Sequence, residues 1–315
     1  MEKTVNNIKP KLIIITGPTA AGKTALSLEL AKRLDGEIIS ADSMQVYKRM
    51  DIGTAKIMKE EMQGIRHHLI DILEPSMDFN VSLFKKLSKE AAEDIYSRGK
   101  MPIVVGGTGF YIQALLYDIS FEPEEDDGYK DELQKLSLTE GGPEKLYNML
   151  KEVDPESAEI IHINNVKRVI RALDFYHKNG SKISAHNALE KSKDSPYDFR
   201  YFVLTDNREV LYKRIDERVD KMIAAGLFEE VRSLLEEGLT ENNISMQGIG
   251  YKEVIDYLRG RSTADECIYN IKINTRHFAK RQLTWFRHEK EVIYIDKSLY
   301  KNEEEILEYM LNTIE

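Results

Sequence analysis

The chain has 315 residues, 42% of them apolar and 31% charged, with a formal net charge of −9. That length holds one large domain or two ordinary ones around a real core. No run of eighteen uncharged apolar residues occurs, so no membrane span is expected. The stretch Met1 to Pro10 lacks the apolar segment of a secretion signal. The single Cys267 excludes an internal disulfide and a cysteine-rich metal site. Together these features predict a cytoplasmic protein.

The charge is unevenly spread. Between Glu122 and Glu159, thirteen acids face four lysines, so this stretch carries the entire −9. Two stretches are basic. One has Lys167, Arg168, Arg171, Lys178 and Lys182 against Asp174. The other has Lys272, Arg276, Lys280, Arg281, Arg287 and Lys290 against Glu289. Either run, by itself, is accounted for by a solvated helix face.

In chain order, Lys11 to Thr16 is a β-branched apolar run before a glycine, the pattern of a buried parallel strand. A helix over Thr24 to Leu34 follows, then a strand over Glu37 to Ala41 and a third strand over His68 to Ile72. Helical spacing covers Ser82 to Arg98, with Gly99 as its stop. Pro102 to Val105 is another buried strand, followed by Gly106-Gly107-Thr108-Gly109 and a helix through Tyr117. Strands alternating with helices predict a parallel sheet covered on both faces. From Ser120 the strand signals stop, and helices are expected at Pro143 to Val153 and Ala158 to Asn179. Arg200 to Thr205 returns to the sheet, Asn207 to Glu237 is a long helix, helices continue through Ser262 to Arg287, and Val292 to Ile295 is a last strand. The prediction is an α/β core over residues 1–119 and 199–315, with a mainly helical insertion over 120–198.

Gly17-Pro18-Thr19-Ala20-Ala21-Gly22-Lys23-Thr24 fits G-x-x-x-x-G-K-[ST] between a strand and a helix, the setting of a phosphate-binding P-loop. Glycines let successive N–H groups turn inward onto phosphate oxygens, and the helix N-terminus adds partial positive charge. Lys23 supplies a full charge, and the Thr24 hydroxyl is placed to ligate Mg²⁺. ATP, GTP or any other diphosphate satisfies such a loop. Hydrolase features are poor: the strand Ile103-Val104-Val105 ends in glycine rather than an acid, and no N-K-x-D run occurs. Asp71 is a candidate for the missing acid, or a buried or capping aspartate. Strand two ends in Asp42-Ser43-Met44-Gln45, at the edge where ligands bind in such sheets. There Asp42 can accept a proton or hold Mg²⁺ through water, and Gln45 can read a base edge. Asp42 or Ser43 can equally cap a following helix. Residue type leaves both readings open.

These motifs resemble those of bacterial tRNA dimethylallyltransferases. The likeness runs from Lys11 to Arg287. It includes Gly17 to Thr24, Asp42 to Tyr47, Asp51-Ile52-Gly53-Thr54-Ala55-Lys56, Gly106 to Tyr111 and Lys167 to Leu173. Arg214 to Val219, Gly248 to Glu253 and Thr275 to Phe286 complete it in order. The resemblance implies a P-loop-type fold that transfers a dimethylallyl group from dimethylallyl diphosphate to N6 of adenosine-37, beside the tRNA anticodon, with release of pyrophosphate. It implies that the P-loop, with Mg²⁺ on Thr24, holds the donor diphosphate. The resemblance also implies that Arg218 assists the leaving group; its helical neighbours Arg214 and Lys221 are both basic, so no local ion pair accounts for it. Asp42 would accept from the adenine N6, Gln45 would hold the base, and Thr108 would line the donor channel and contact tRNA. The implied contacts to the tRNA anticodon stem-loop also include Ser43, Met44, Lys167, Arg168, Val169, Ile170, Arg171, Gly248, Ile249, Gly250, Tyr251, Lys252, Arg276, Lys280 and Arg281.

Trp285 and Phe286 are expected in the core rather than as stacking platforms. Many relatives place an arginine about 22 residues after the glycine-rich threonine, where this chain has Lys130 among Asp126, Asp127 and Asp131. Lysine keeps the charge but not the bidentate phosphate geometry. There are too few cysteines for the zinc finger of eukaryotic relatives. A monomer is expected. The alternatives are an adenylate isopentenyltransferase, which needs no tRNA clamp, a P-loop small-molecule kinase, and an RNA-binding protein with a vestigial nucleotide fold. Basic residues on the insertion favour tRNA over free nucleotide, and intact Lys23, Thr24 and Asp42 disfavour the vestigial fold.

Overall fold

The computed structural model describes residues 9–121 and 127–314. Asp126, expected beside Lys130, and the start of the acidic stretch lie outside the described residues. The chain divides into two compact units, Met1–Leu116 with Pro196–Glu315, and Tyr117–Ser195. The second unit begins and ends slightly before the predicted insertion, because Asp198 already pairs with Lys11 in the sheet.

The first unit is built on six parallel strands: β1 (Lys11–Thr16), β2 (Gly36–Ala41), β3 (His67–His68), β4 (Met101–Gly106), β5 (Asp198–Thr205) and β6 (Val292–Asp296). Their order is β3-β2-β4-β1-β5-β6. Ile13, Ile15, Ile38, Ile103, Phe202 and Leu204 pack with Leu26 and Leu30 of α1 (Lys23–Arg33) and with Leu307 and Met310 near the chain's end. The alternate positions Leu12, Ile14, Ile39 and Val104 are fully buried too. Both faces of the central strands β1, β2 and β4 are therefore covered, which is why these strands read as apolar runs rather than as alternation.

Helix α2 (Val81–Ser97) is capped by Asn80, whose side chain accepts from the Leu83 N–H, and α3 (Gly109–Leu116) follows β4. The second unit consists of α4 (Tyr129–Ser137), α5 (Gly142–Val153), α6 (Pro155–Ile160), α7 (Val166–Asn179) and α8 (Ile183–Ser192). Its core is Leu133, Leu146, Leu150, Ala158, Val169, Ile170, Ala172 and Leu173. Asp154, from the acidic stretch, is fully buried and accepts from the backbone and hydroxyls of Ser157 and Ser184, so it staples α6 to α8. After β5 come α9 (Arg208–Ala224), α10 (Leu227–Glu236), α11 (Tyr251–Leu258), α12 (Ala264–Phe286) and, after β6, α13 (Glu303–Ile314). No helix among the described residues is long and apolar enough to cross a membrane.

Three predicted elements differ. The third strand stops at His68 because Leu69 and Asp71 take φ of 63° and 55°, outside extended geometry. The helix expected over Ala158 to Asn179 breaks between Ile160 and Val166. The one expected over Asn207 to Glu237 breaks at Gly226, whose φ of 100° suits glycine and turns the chain into α10.

Glu37 of β2 is buried beneath the sheet edge, accepting from Arg98 Nη1, from Arg98 Nη2 at 2.8 Å and pairing with His68 Nε2 at 2.8 Å. Hydrogen bonds from Arg98 are the main reason its carboxyl is held down at about 2 instead of 4.5. The unfolded chain therefore takes up this proton first. The stabilisation is complete above pH 4.5 and is lost as pH falls towards 2. Glu37→Gln is expected to cost on the order of 2 kcal/mol in neutral chemical denaturation and to flatten the stability profile over that acid limb. An unaltered acid limb would show that Glu37 does not carry it.

Candidate active site

Three strand ends converge at the C-terminal edge of the sheet, where β2, β4 and β1 are neighbours. Thr16 Oγ1 at the end of β1 donates to the Gly106 carbonyl of β4 at 2.7 Å. A Cβ on Gly106 would lie 2.2 Å from the Ala41 carbonyl oxygen, so only glycine lets β4 end so close to β2. The Thr108 N–H then donates to that same carbonyl at 3.2 Å. Thr108 is thereby held beside the loop that begins at Asp42.

The predicted P-loop leaves β1 with Gly17, Ala20 and Gly22 at positive φ and enters α1 with no side-chain cap. The first N–H groups of α1 are thus left for an anion. Lys23 Nζ folds back to donate to the Gly17 and Pro18 carbonyls at 3.0 and 2.9 Å. Burial, and then the charge of Arg218, pull its amine down to about 8, with Asp42 acting in the opposite sense. Arg218 of α9 is half-buried. Burial lowers its pKa and Asp42 raises it. Lys23, Arg218 and Asp42 are therefore within electrostatic reach of one another, two cations against one carboxylate. Arg218 points inward from α9 and is no solvated surface arginine.

Asp42 Oδ1 accepts from the N–H groups of Met44 and Gln45 at 2.8 and 3.3 Å, an Asx turn at the end of β2. No helix starts there, so the capping alternative falls away. Oδ2 has no hydrogen-bond partner among the described residues. One carboxylate oxygen fixes the orientation and the other stays open to take a proton. Gln45 Nε2 donates to the Thr54 and Ala55 carbonyls at 3.3 and 3.4 Å, and Arg218 Nη2 donates to the same Thr54 carbonyl at 3.5 Å. The loop of Asp51 to Lys56 thus aims both side chains.

That loop is clamped twice. The Lys56 side chain is only 1% exposed and its Nζ donates to the Tyr47 carbonyl, Asp51 Oδ1 and Asp71 Oδ1 at 2.6, 2.6 and 2.5 Å. Asp71 is therefore a partner for a buried lysine and does not supply the acid missing from β4. Glu230 of α10 accepts the N–H groups of Asp51, Ile52 and Gly53 at 2.8, 2.7 and 3.0 Å, and the Tyr251 hydroxyl at 2.6 Å.

Several residues expected at a tRNA surface have structural roles instead. Val169 and Ile170 are 1% and 6% exposed in the core of the second unit, because they fall on the inner face of α7. Tyr251 is buried against Gly53 and Glu230. Met44 packs on Gly248, and Gly250 opens α11 at φ 98°. Arg276 grips Asp216 of α9 through Nε at 3.0 Å and through Nη2, and so ties α12 to the helix that carries Arg218. By contrast Lys167, Arg168 and Arg171 are exposed on α7 and form no ion pair among the described residues. Lys130, Lys252, Lys280 and Arg281 are also exposed, while Ser43 and Ile249 are half-buried. Phe286 is fully buried, and Trp285 packs edge-on to Phe110, so both belong to the fold as expected.

Sequence reading missed Gln282. It lies on the buried stripe of α12 with Ala279 and Phe286, only 6% exposed. Its Oε1 accepts from the Thr19 N–H at 2.9 Å and its Nε2 donates to the Gly107 carbonyl at 3.0 Å. A polar residue at the i+3 and i−4 positions of two buried apolar residues was the available signal. Glu230 was missed because its partners are backbone groups and a hydroxyl far away in sequence, and Lys56 because its burial between Asp51 and Asp71 is set by the fold.

Comparison with known proteins identifies the family. The family model described as IPP transferase matches residues 45–289, and one described as isopentenyl transferase matches 10–78. A tRNA dimethylallyltransferase of Lachnoclostridium phytofermentans is 54% identical over 304 residues, covering 96% of this chain and 97% of that protein. The crystal structure of the full-length tRNA isopentenylpyrophosphate transferase of Bacillus halodurans is 43% identical, with a TM-score of 0.72 and 97% of each chain covered. A eukaryotic dimethylallyltransferase captured acting on tRNA is 34% identical at a TM-score of 0.75, covering 91% of this chain and 74% of that one. With a family model spanning most of its length and a relative alike over nearly all of it, the chain belongs to the IPP transferase family.

Proposed function

We propose that this chain transfers a dimethylallyl group from dimethylallyl diphosphate to N6 of adenosine-37 in the tRNA anticodon stem-loop, releasing pyrophosphate. The observation that carries it is the meeting of Lys23 and Arg218 around Asp42 at the mouth of the P-loop. A site with more cation than anion suits a leaving diphosphate. A carboxylate beside it, with one oxygen unused, suits a nucleophile that must lose a proton.

In this reaction the donor C1–O bond breaks with its electron pair going to the diphosphate, and the N6 lone pair forms the new N–C1 bond. N6 gives its proton to Asp42 Oδ2. The P-loop N–H groups, Lys23 and Arg218 stabilise the charge as it develops on the leaving group, which is where preorganised donors are worth most. Gln45 retains its Oε1 for the adenine edge while Nε2 stays on the loop. Thr108, whose N–H is fixed on the Ala41 carbonyl, would line the donor channel and contact the tRNA. The Thr24 hydroxyl has no partner among the described residues and would hold Mg²⁺. No cluster of three or more His, Cys, Asp or Glu suited to a metal occurs among the described residues, so diphosphate and water would complete the shell. Mg²⁺ would add neutralisation of the leaving diphosphate.

The base must leave the anticodon stack, at a cost of a few kcal/mol. Phosphate contacts from Lys167, Arg168 and Arg171, with Lys130, Lys252, Lys280 and Arg281, would offset it. The proposal takes the protein as a monomer working on tRNA in the cytoplasm.

Incubation with labelled dimethylallyl diphosphate, Mg²⁺ and either unmodified tRNA or AMP tests the proposal: label is expected in tRNA. Label confined to AMP would make this a free-adenylate enzyme, and phosphate transfer from ATP without prenyl transfer would make it a kinase. Asp42→Ala is expected to slow single-turnover transfer by about 10²–10⁴-fold with tRNA affinity nearly intact. Loss of tRNA binding with normal chemistry would remove the proton-accepting role.

With its amine at about 8, Lys23 is expected to acylate faster than the exposed lysines near neutral pH. Its rate should level off above pH 8 and fall when pyrophosphate is added, as read by peptide mass spectrometry. A rate still climbing at pH 10, as for an exposed lysine, would contradict the depressed amine. Lys167→Ala is expected to weaken tRNA binding and reduce the slope of log K against log salt by about 1. An unchanged slope would return Lys167 to a solvated face.

A further inference from the structure

The Gln282 amide joins two loops that the proposed reaction uses for different substrates. On one side its Oε1 holds the Thr19 N–H of the P-loop, and on the other its Nε2 holds the Gly107 carbonyl next to Thr108. Both bonds are near ideal length, and the side chain is almost wholly buried. A Cβ on Gly107 would lie 2.2 Å from Gln282 Nε2, so the turn is built around the amide. The Thr19 N–H, taken by Gln282, is withdrawn from any phosphate. The diphosphate is left to the amides nearer α1, where Lys23 lies.

We propose that Gln282 is a positioning residue that sets the distance between the diphosphate cradle and Thr108, and so between the donor carbon and the incoming base. This rests on the prenyl-transfer reading above. The chemistry of the residue fits the task. A carboxamide offers an acceptor and a donor on one rigid plane and carries no charge. It can therefore bridge an N–H of one loop and a C=O of another without a net charge near the leaving group. A methionine of similar length fills the space but makes neither bond. A glutamate keeps the acceptor and loses the donor.

Three measurements on Gln282→Met test this: affinity for inorganic pyrophosphate, single-turnover transfer to tRNA with both substrates saturating, and melting temperature. The expected result is a several-fold weaker pyrophosphate Kd and a transfer rate at least tenfold lower per active site, at a temperature far below the melting point. Combined with Thr108→Ala, it should lose less than the product of the two single losses, because both act on the same placement. A pyrophosphate Kd and a transfer rate within twofold of the parent, or strictly multiplicative losses with Thr108→Ala, would overturn the proposal and leave Gln282 a packing residue. If Gln282→Met does not fold, Gln282→Glu bears the same expectation for the rate and for the double variant. Absence of transfer by the unmutated protein would refute the prenyl-transfer reading, and the pyrophosphate arm would still report on Gln282.

Discussion

Two cations, Lys23 and Arg218, face one carboxylate, Asp42, in a half-buried site, and most of the architecture around the sheet edge serves to hold that imbalance in place. Left alone, like charges in a poorly solvated place move apart or shed a proton, and the depressed Lys23 amine records that tendency. They stay together because each is tethered from behind. Lys23 is folded onto the Gly17 and Pro18 carbonyls, and Arg218 reaches a carbonyl of a loop clamped by Lys56 and Glu230. An anion entering the P-loop relieves the repulsion, so binding energy is directed at the leaving group.

The tethers come from far along the chain. Glu230 on α10, Gln282 on α12 and Tyr251 on α11 all lie after the second unit in sequence, yet they brace loops that follow β1, β2 and β4, while Arg276 on α12 braces α9. The helices after β5 therefore form the rear wall of the site rather than a mere cover for the sheet. The ion pair of Arg276 with Asp216 shows the economy of the design: a residue on the basic run of α12 secures the helix that presents Arg218. Lys280 and Arg281 on α12 and Lys167, Arg168 and Arg171 on α7 stay exposed, with no ion pair among the described residues.

Legibility in the sequence followed the range of the interaction. The P-loop, the strand runs and the Asp42 turn are local patterns, with residue types set by backbone conformation or by a neighbour a few positions away. They could be read directly. Helix breaks were harder, because Gly226 and the turn between α6 and α7 interrupt stretches whose apolar spacing continues across them. Val169, Ile170 and Tyr251 were assigned to a surface because their motifs were read as units, whereas a helix turns about 100° per residue, so one short motif spans both its buried and its exposed faces. The same motif holds both a contact side chain and the core side chain that orients it.

The chain's order of residues alone determined the phosphate loop, the parallel sheet, the presence of a helical insertion and, through eight ordered motifs, the family. Each depends on contacts between neighbours in sequence or on a period that neighbours repeat. Only the tertiary structure decided that Asp71 serves Lys56 and that Arg276 is structural. It also revealed that one glutamine amide links the P-loop to the turn before Thr108. Those choices join residues separated by up to 263 positions, and a hydrogen bond over that span leaves no trace in local spacing.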